Sequence, residues 1–421
     1  MARGLGLLSS ILVARMLGKS GFGELGIIQS TIGMFGTLAG FGLGMTATKF
    51  IAQYRRIDPL KASRIRALSS AFAWVTGSLV TVLFFFMAPW LAEHTLAAPH
   101  LAGLLQVGVL LLLFNAINGA QIGVLSGFEA FKTVAKISMA SGLITFPLMV
   151  GGVYLAGLTG AVWGMIFASM VNWFLNHIAI RKECAKSGVP YSYEGCWIEK
   201  GILWKFALPA VISSMFSAPT EWVLNAMLVN QPGGYGQMGI FNAAKQWHIL
   251  ILYLPNMLSG ITLPILSNLL GENESEKYKK MLILNSFGLL AIALAVALPV
   301  SLLSQTIMSG YGKEFAGEWR VLVCIAAYSV LWASHIVVGQ AMWSTGASRE
   351  AMVFAAIRSL IMISSGALLI KHGAIGLSLS LLITYVIQTI YLIPYVIYKT
   401  DKYFTNVDSV NVNVTNHICQ C

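Results

Sequence analysis

Long apolar runs are the feature that most constrains how this chain can fold. Twelve such runs, most of them about 20 residues or longer, recur along the 421-residue sequence, and about 20 apolar residues are what a helix needs to cross a bilayer. The runs are continuous, whereas the strands of an outer-membrane barrel alternate in hydropathy. The sequence therefore predicts an all-α, polytopic membrane protein. The predicted spans are 3–17, 24–53, 68–92, 101–126, 133–156, 158–180, 203–229, 237–269, 281–303, 319–345, 350–371 and 373–397.

The composition excludes the soluble classes of protein. Hydrophobic residues make up 57% of the chain and charged residues 10%, whereas a soluble domain carries about 25% charged residues. The net charge of +11 would suggest a nucleic-acid partner in a soluble protein. Here the basic residues lie in loops on one side of the predicted membrane, so no nucleic-acid partner is expected.

The lysines and arginines also predict the orientation. Eighteen of them follow even-numbered spans and five follow odd-numbered spans. Because cytoplasmic loops carry the excess of Lys and Arg, both termini are expected in the cytoplasm. The same charges attract anionic lipid headgroups.

A polar connection between the sixth and seventh spans predicts two lobes. The expected division is an N-terminal six-helix lobe at 1–182, a cytoplasmic linker at 183–202, a C-terminal six-helix lobe at 203–398 and a cytoplasmic tail at 399–421. Short similar segments support an internal repeat: Phe22–Ile27 with Tyr235–Ile240, Gly160–Val162 with Gly373–Ile375, and Gln121 and Gly127 with Gln340 and Gly346. Two lobes repeated in this way are expected to enclose a central cleft, where transporters place their substrate.

The first predicted span is short for a membrane helix. Residues 4–17 give about 21 Å of helix at 1.5 Å per residue, whereas the hydrocarbon core is about 30 Å thick. We therefore expect the native chain to begin before Met1, which a mass measurement of the native N-terminus would test.

Three basic residues lie inside predicted spans: Lys49, Lys245 and Arg358. A Lys or Arg at the helix centre costs about 2.5–3.5 kcal/mol on insertion scales, so these side chains are expected to face a cavity or a partner. Lys49 lies one turn from the cytoplasmic end of its span, and it either extends to the interface or lines a cavity.

Polar residues also form a stripe on the seventh predicted span and a group on the eighth. The stripe is Ser213, Ser217, Glu221 and Asn225, and the group is Asn242, Lys245 and His248. Two interpretations stay open at this point. Glu221 and Lys245 form a structural ion pair, or the two helices line a cleft that binds an anionic or hydroxyl-rich substrate. His248 alone is more typical of a hydrogen-bonded bundle residue than of a proton relay.

Motifs for catalysis and cofactor binding are missing from the sequence. There is no G-x-x-x-x-G-K-[ST], no H-E-x-x-H and no paired C-x-x-C, so ATP hydrolysis, a metal and other cofactors are not expected. The outward loops are too short to hold a catalytic domain. The chain is therefore predicted to be a transporter and not an enzyme.

Several segments resemble one family of transporters over nearly the whole chain. They are Ala14–Gly18, Gly21–Gly26, Ala47–Phe50, Tyr54–Arg56, Asn230–Pro232, Gly239–Trp247, Leu254–Pro255, Leu263–Pro264 and Tyr311–Phe315. In these segments the chain is similar to the Wzx-type O-antigen and exopolysaccharide flippases of the multidrug/oligosaccharidyl-lipid/polysaccharide (MOP) exporter superfamily.

This resemblance implies an activity and a location. A flippase of this kind moves undecaprenyl-pyrophosphate-linked oligosaccharide from the cytoplasmic to the periplasmic leaflet of the bacterial inner membrane, for surface polysaccharide biosynthesis by alternating access. The partners implied are the lipid-linked oligosaccharide, membrane lipids, H⁺ or Na⁺ as coupling ion, and polysaccharide polymerase and chain-length proteins.

The resemblance also implies a cleft lined by the first, second, seventh and eighth helices. The residues carried over to it by position are Arg15, Lys49, Glu221, Asn225, Asn242 and Lys245. His248 and Arg358 join them as intramembrane titratable residues, which completes the predicted substrate-binding set.

Three alternatives remain beside this interpretation. A multidrug/cation antiporter of the same superfamily would share the fold but prefer acidic groups in its cleft. A lipid II flippase resembles this fold with additional helices. A membrane-embedded polysaccharide polymerase or ligase would be an enzyme, and it would need a large outward loop.

Overall fold

The computed structural model describes residues 2–40, 42–202, 216–272, 274–345 and 347–418. The described chain is 91% helical, and no strand occurs within it. It forms two compact units, unit 1 at Met1–Asn242 and unit 2 at Ala243–Cys421. The predicted lobe boundary at residues 183–202 stays a prediction, since the division between the units falls later, inside a helix.

Unit 1 is built from helices that pack against α1, α3 and α5. Its helices are α1 Ala2–Gly40, α2 Leu43–Tyr54, α3 Pro59–Trp90, α4 Ala102–Gly108, α5 Leu110–Gly127, α6 Phe131–Lys186, α7 Ser217–Val229 and α8 Gly234–Ile251, the last of which continues into unit 2. Local sequence explains where some of these begin. Asp58 caps α3 by accepting the backbone N–H of Lys61 at 2.9 Å, and Pro59 occupies the first helical position, where its missing N–H costs nothing.

Unit 2 continues with α9 Tyr253–Gly271, α10 Ser275–Leu302, α11 Ser304–Tyr311, α12 Trp319–Ser344, α13 Ser348–Leu369 and α14 Gly373–Ile418. Helix α12 lies at its centre and packs against α9, α10, α13 and α14. A buried cluster that includes Leu266, Tyr278, Val338 and Leu392 joins these helices at one end.

The described residues contain seven helical stretches long and apolar enough to cross a membrane. Three of these stretches, Arg3–Tyr54, Phe131–Lys186 and Arg349–Phe404, have 52, 56 and 56 residues. At 1.5 Å per residue each is about 80 Å long, more than twice the 30 Å of the hydrocarbon core, so each has length for two passes. Of the seventh predicted span, residues 203–215, which include Ser213, lie outside the described residues.

Glycines with positive φ separate successive spans inside the longest helices. Gly18 (φ 69°, ψ 177°) interrupts α1, and Gly157 (φ 56°, ψ −135°) interrupts α6. A residue with a Cβ atom rarely adopts these conformations. The sequence places its first and fifth predicted spans up to these two positions, and the bends confirm both ends.

The internal repeat is visible in the backbone. Gly373, at the start of α14, has φ 65° and ψ −139°, nearly the angles of Gly157. Three residues later, Gly160 and Gly376 each lie against a backbone carbonyl, where an added Cβ would be 1.8 Å and 1.9 Å from the oxygen. The same Gly-x-x-Gly element therefore opens a helix twice, 216 residues apart.

A second pair of positions supports this register. Ala130 before α6 and Ala347 before α13 have φ −78° and −79°, both with ψ 42°, and are 217 residues apart. The predicted match of Gly160–Val162 with Gly373–Ile375 at 213 residues is therefore wrong in register. It compared similar side chains, whereas the shared constraint is the glycine conformation that begins each segment.

An arginine holds the turn between α5 and α6. The Arg55 guanidinium donates to the carbonyl of Phe128 and pairs with the Glu129 carboxylate, which fixes a residue with φ 56°. The hydrogen bond from Arg55, helped by its charge, holds the pKa of the Glu129 carboxyl below its usual range. The pair is thus intact at neutral pH and weakens only as the pH falls through that lowered pKa.

Candidate functional site

Helices α1 and α7 are joined by side-chain hydrogen bonds. The Asn225 amide donates to the hydroxyl of Ser30 at 2.8 Å, and the Trp222 indole donates to the hydroxyl of Thr31 at 3.0 Å. Asn225 is buried, and in the described structure its amide is engaged between helices. Its predicted contact with substrate stays a prediction.

Glycines allow α1 to approach α8 at backbone distance. A Cβ placed on Gly23 would lie 1.8 Å from the carbonyl oxygen of Tyr235, and one on Gly239 would lie 2.0 Å from the carbonyl oxygen of Lys19. The two contacts are reciprocal, because each glycine lies four residues from the carbonyl that the other one meets. Small residues permit this close packing in lipid. The contact therefore fixes how the first helix meets the α7–α8 hairpin.

Asn242 lies at the same contact. A Cβ on Gly26 would lie 2.5 Å from the Asn242 side-chain nitrogen, and this buried Nδ2 has no hydrogen-bond partner among the described residues. An unpaired buried amide is unusual. Asn242 is thus a polar group held ready in a glycine-lined space, which suits its place in the predicted set.

Three other predicted residues of unit 1 lie apart from these contacts. Arg15 is exposed on α1 before the bend, and Lys49 is exposed on α2 with its ammonium 5.3 Å from the ring centroid of Phe50. Glu221 is half-buried on α7. Their roles toward substrate stay predictions.

Lys245 belongs to unit 2 and is half-buried on α8, three residues after Asn242. Glu221 belongs to unit 1. Whether the two form an ion pair or line a cleft therefore remains as open as in the sequence.

His248 is part of an aromatic cluster in unit 2. One ring nitrogen, Nδ1, lies 2.8 Å from the Ser329 hydroxyl, and the ring stacks on Tyr328 at 4.9 Å between centroids. Tyr328 in turn meets Tyr385 at 5.0 Å, and Trp332 stacks on Tyr385 at 5.0 Å. His248 is therefore a hydrogen-bonded bundle residue, the interpretation that the sequence favoured for it alone.

The cluster forms one wall of a cavity of about 300 Å³ that contains Arg358. Arg358 on α13 donates to the hydroxyl of Tyr385 at 3.5 Å, at the long limit for a hydrogen bond. The walls include Trp332 and Phe354, and no acidic residue is among those that line the cavity. This size and this mixture of aromatic walls with a few polar groups are typical of a ligand pocket.

Two further polar side chains of the cavity have unsatisfied atoms. Gln388 is 5% exposed, and its Oε1 has no partner within the described chain. His335 bonds the Thr389 hydroxyl through Nε2 at 3.1 Å, while its buried Nδ1 lacks a partner in the same part of the chain. The cavity thus offers a guanidinium, an imidazole and an amide to one ligand.

The structure brings His248 and Arg358 to one cluster, which the sequence did not predict. It also adds Trp332, His335 and Gln388, which sequence reasoning missed. A signal was present, because residues 328, 332 and 335 of α12 recur at helical spacing and share a face. Aromatic residues at such spacing usually indicate a core, so this signal alone does not identify a ligand cavity.

Comparison with known proteins places this geometry in context. The family described as polysaccharide biosynthesis protein matches residues 1–270. The EPS I polysaccharide export inner membrane protein EpsE of Ralstonia nicotianae is 23% identical over 66% of this chain, which spans 64% of the length of EpsE. The lipid III flippase of Escherichia coli is 22% identical over 91% of this chain and 92% of its own.

The fold is shared with solved transporters. An inward-facing multidrug resistance MATE family transporter of the MOP superfamily superposes with a TM-score of 0.76, at 15% identity, over 95% of this chain and 96% of its own. At this identity the likeness shows the fold alone. The predicted fold class, an all-α polytopic membrane protein of about twelve spans, is thereby confirmed.

Proposed function

Because the chain belongs to the polysaccharide biosynthesis protein family, we propose that it is a flippase for undecaprenyl-pyrophosphate-linked oligosaccharide. It moves the repeat unit of a surface polysaccharide from the cytoplasmic to the periplasmic leaflet. It does so from the bacterial inner membrane, with both termini in the cytoplasm.

The observation that carries this proposal is the alignment with a lipid III flippase over nine-tenths of both chains. EpsE supports it independently, because its name assigns it to polysaccharide export at an inner membrane. The named relatives are thus exporters and flippases, in agreement with the prediction that the chain is not an enzyme.

The chemistry of the cargo fits the intramembrane polar groups. A pyrophosphate carries negative charge that hydrocarbon does not accept, so it needs basic and hydrogen-bonding groups in a hydrated cleft. The predicted set supplies basic groups in Lys245 and Arg358, while the lipid tail stays in the bilayer. Alternating access then requires only that one half of the transporter rock against the other.

Deletion of the gene is the direct test of the proposal. We expect surface polymer to be lost and undecaprenyl-linked repeat units to accumulate on the cytoplasmic side, because the flippase would connect their synthesis with their polymerisation. Lipid-linked oligosaccharide extracted from the deletion strain identifies the cargo by mass. Unchanged polymer together with altered resistance to cationic drugs would instead support the antiporter.

A single substitution tests the predicted substrate set. Lys245→Ala is expected to lower polymer export about tenfold or more, because a lost charged contact is worth about 1.5–3 kcal/mol and 1.4 kcal/mol corresponds to a factor of ten. The measurement is polymer yield in the deletion strain at matched membrane expression. Lys280→Ala, at an exposed lysine near the start of α10, is the control and is expected to export normally. Normal yield from Lys245→Ala would exclude the role.

A further inference from the structure

The segment that follows α6 folds back onto the cytoplasmic end of unit 1. Ser63 and Arg66 on α3 donate hydrogen bonds to the carbonyls of Pro190 and Ser192. Cys196, at the end of this segment, is buried in a cluster with α3 and α5. Residues 189–196, predicted as part of a linker, are therefore held firmly against unit 1.

Arg66 is the residue on which this arrangement depends. It is 2% exposed and belongs to the largest fully buried side chains. Its guanidinium lies 4.0 Å from the ring centroid of Tyr191 and 4.9 Å from that of Tyr193. A second cation, Arg181, lies 5.2 Å from the same Tyr191 ring, so positive charge accumulates here.

This charge is only partly compensated. In the described chain no carboxylate forms an ion pair with Arg66, and its Nε–H has no acceptor. Stacking on aromatic faces returns about 0.5–2 kcal/mol per contact, whereas burying an ion costs several kcal/mol. A neutral water would satisfy the Nε–H but would leave the charge.

A small cavity lies beside the unpaired atom. It has a volume of about 20 Å³, and its lining includes Arg66, Ser70, Gln121 and His177. Gln121 is 6% exposed, its Oε1 has no partner among the described residues, and no hydrogen bond fixes its amide there. Half a turn of that amide directs its N–H toward the cavity instead.

The volume selects the ligand. About 10–15 Å³ is enough for one water, so this cavity accepts one sphere slightly larger than water and excludes phosphate or a carboxylate. We propose that it binds a single halide ion, chloride in the cell, between the Arg66 guanidinium and the Gln121 amide. The ion supplies the negative charge that the buried guanidinium lacks and holds the 189–196 segment in place. This site is independent of the proposed transport function.

Bromide tests the site directly. Crystals of the full chain grown in sodium bromide are expected to show one anomalous peak between Arg66 and Gln121. An ordered water at that position, or no density, would overturn the proposal.

Unfolding measurements provide a second test. Replacing sodium chloride by sodium gluconate at equal ionic strength is expected to lower the unfolding midpoint of the purified full chain by about 2–3 °C, since a ligand that binds only the folded state stabilises it. Gln121→Glu carries its own anion, so its midpoint should not depend on chloride. Gln53→Glu, at an exposed glutamine on α2, should keep the dependence. Equal midpoints for the unchanged chain in both salts, or chloride dependence retained in Gln121→Glu, would contradict chloride binding.

Discussion

Gly23→Ala is expected to prevent the first helix from packing against the α7–α8 hairpin and to abolish export. The added Cβ would lie 1.8 Å from the Tyr235 carbonyl oxygen, 2.8 Å from its carbon and 2.9 Å from the Gly239 nitrogen. All three are backbone atoms of a helix, so no side-chain rotation relieves the clash. Overpacking of a core by a methylene costs about 1–3 kcal/mol, and a contact with rigid backbone lies at or above the upper end of that range.

The same substitution elsewhere on α1 provides a matched control. A Cβ on Gly33 meets nothing within 4 Å. Alanine is favoured over glycine in a helix by about 1 kcal/mol, so Gly33→Ala should be neutral or slightly stabilising. The effects of the two substitutions should thus differ in sign, although both replace glycine by alanine in one helix.

The measurements for this pair are the yield of monodisperse full-length protein, its unfolding midpoint and polymer export. For Gly23→Ala we expect a loss in all three, and for Gly33→Ala values at or above those of the unchanged chain. If Gly23→Ala keeps its midpoint and exports normally, the close contact between α1 and α8 is not required.

The helical fold follows from the sequence because hydropathy reports directly on burial in lipid. Apolar runs predicted the spans, and the bends at Gly18 and Gly157 fall where the sequence ended a span. The register of the repeat did not follow, because it depends on φ and ψ at two glycines. Residue identity alone does not give those angles.

The candidate site was only partly predictable, for a physical reason. Charges inside a membrane span are costly, so Arg358 and Lys245 stood out in the sequence. Trp332 and Gln388 did not, since aromatic residues and amides occur widely in helical bundles. What makes them part of a site is their common cavity, which depends on the packing of α12, α13 and α14.

Arg358→Met is expected to reduce export about tenfold to a hundredfold while leaving the protein abundant in the membrane. Methionine keeps much of the side-chain length and removes a charge that costs about 2.5–3.5 kcal/mol to insert, so folding should not suffer from the insertion step. Export should suffer, because a hydrogen bond to a charged ligand is worth about 1.5–3 kcal/mol. A purely structural Arg358 predicts the opposite pattern, with low abundance and proportionate export.

Two variants separate charge from geometry at this position. Arg358→Lys keeps the charge but loses the planar fork that binds two oxygens at once, so it should export at an intermediate level if the ligand is a phosphate or carboxylate. Arg349→Met removes an exposed arginine from the first turn of the same helix and should export normally. Export is measured as polymer yield per unit of membrane protein in the deletion strain. Export by Arg358→Met equal to that of Arg349→Met would show that the cavity of unit 2 takes no part in transport. The flippase proposal would still stand, because it rests on the deletion phenotype and not on this cavity.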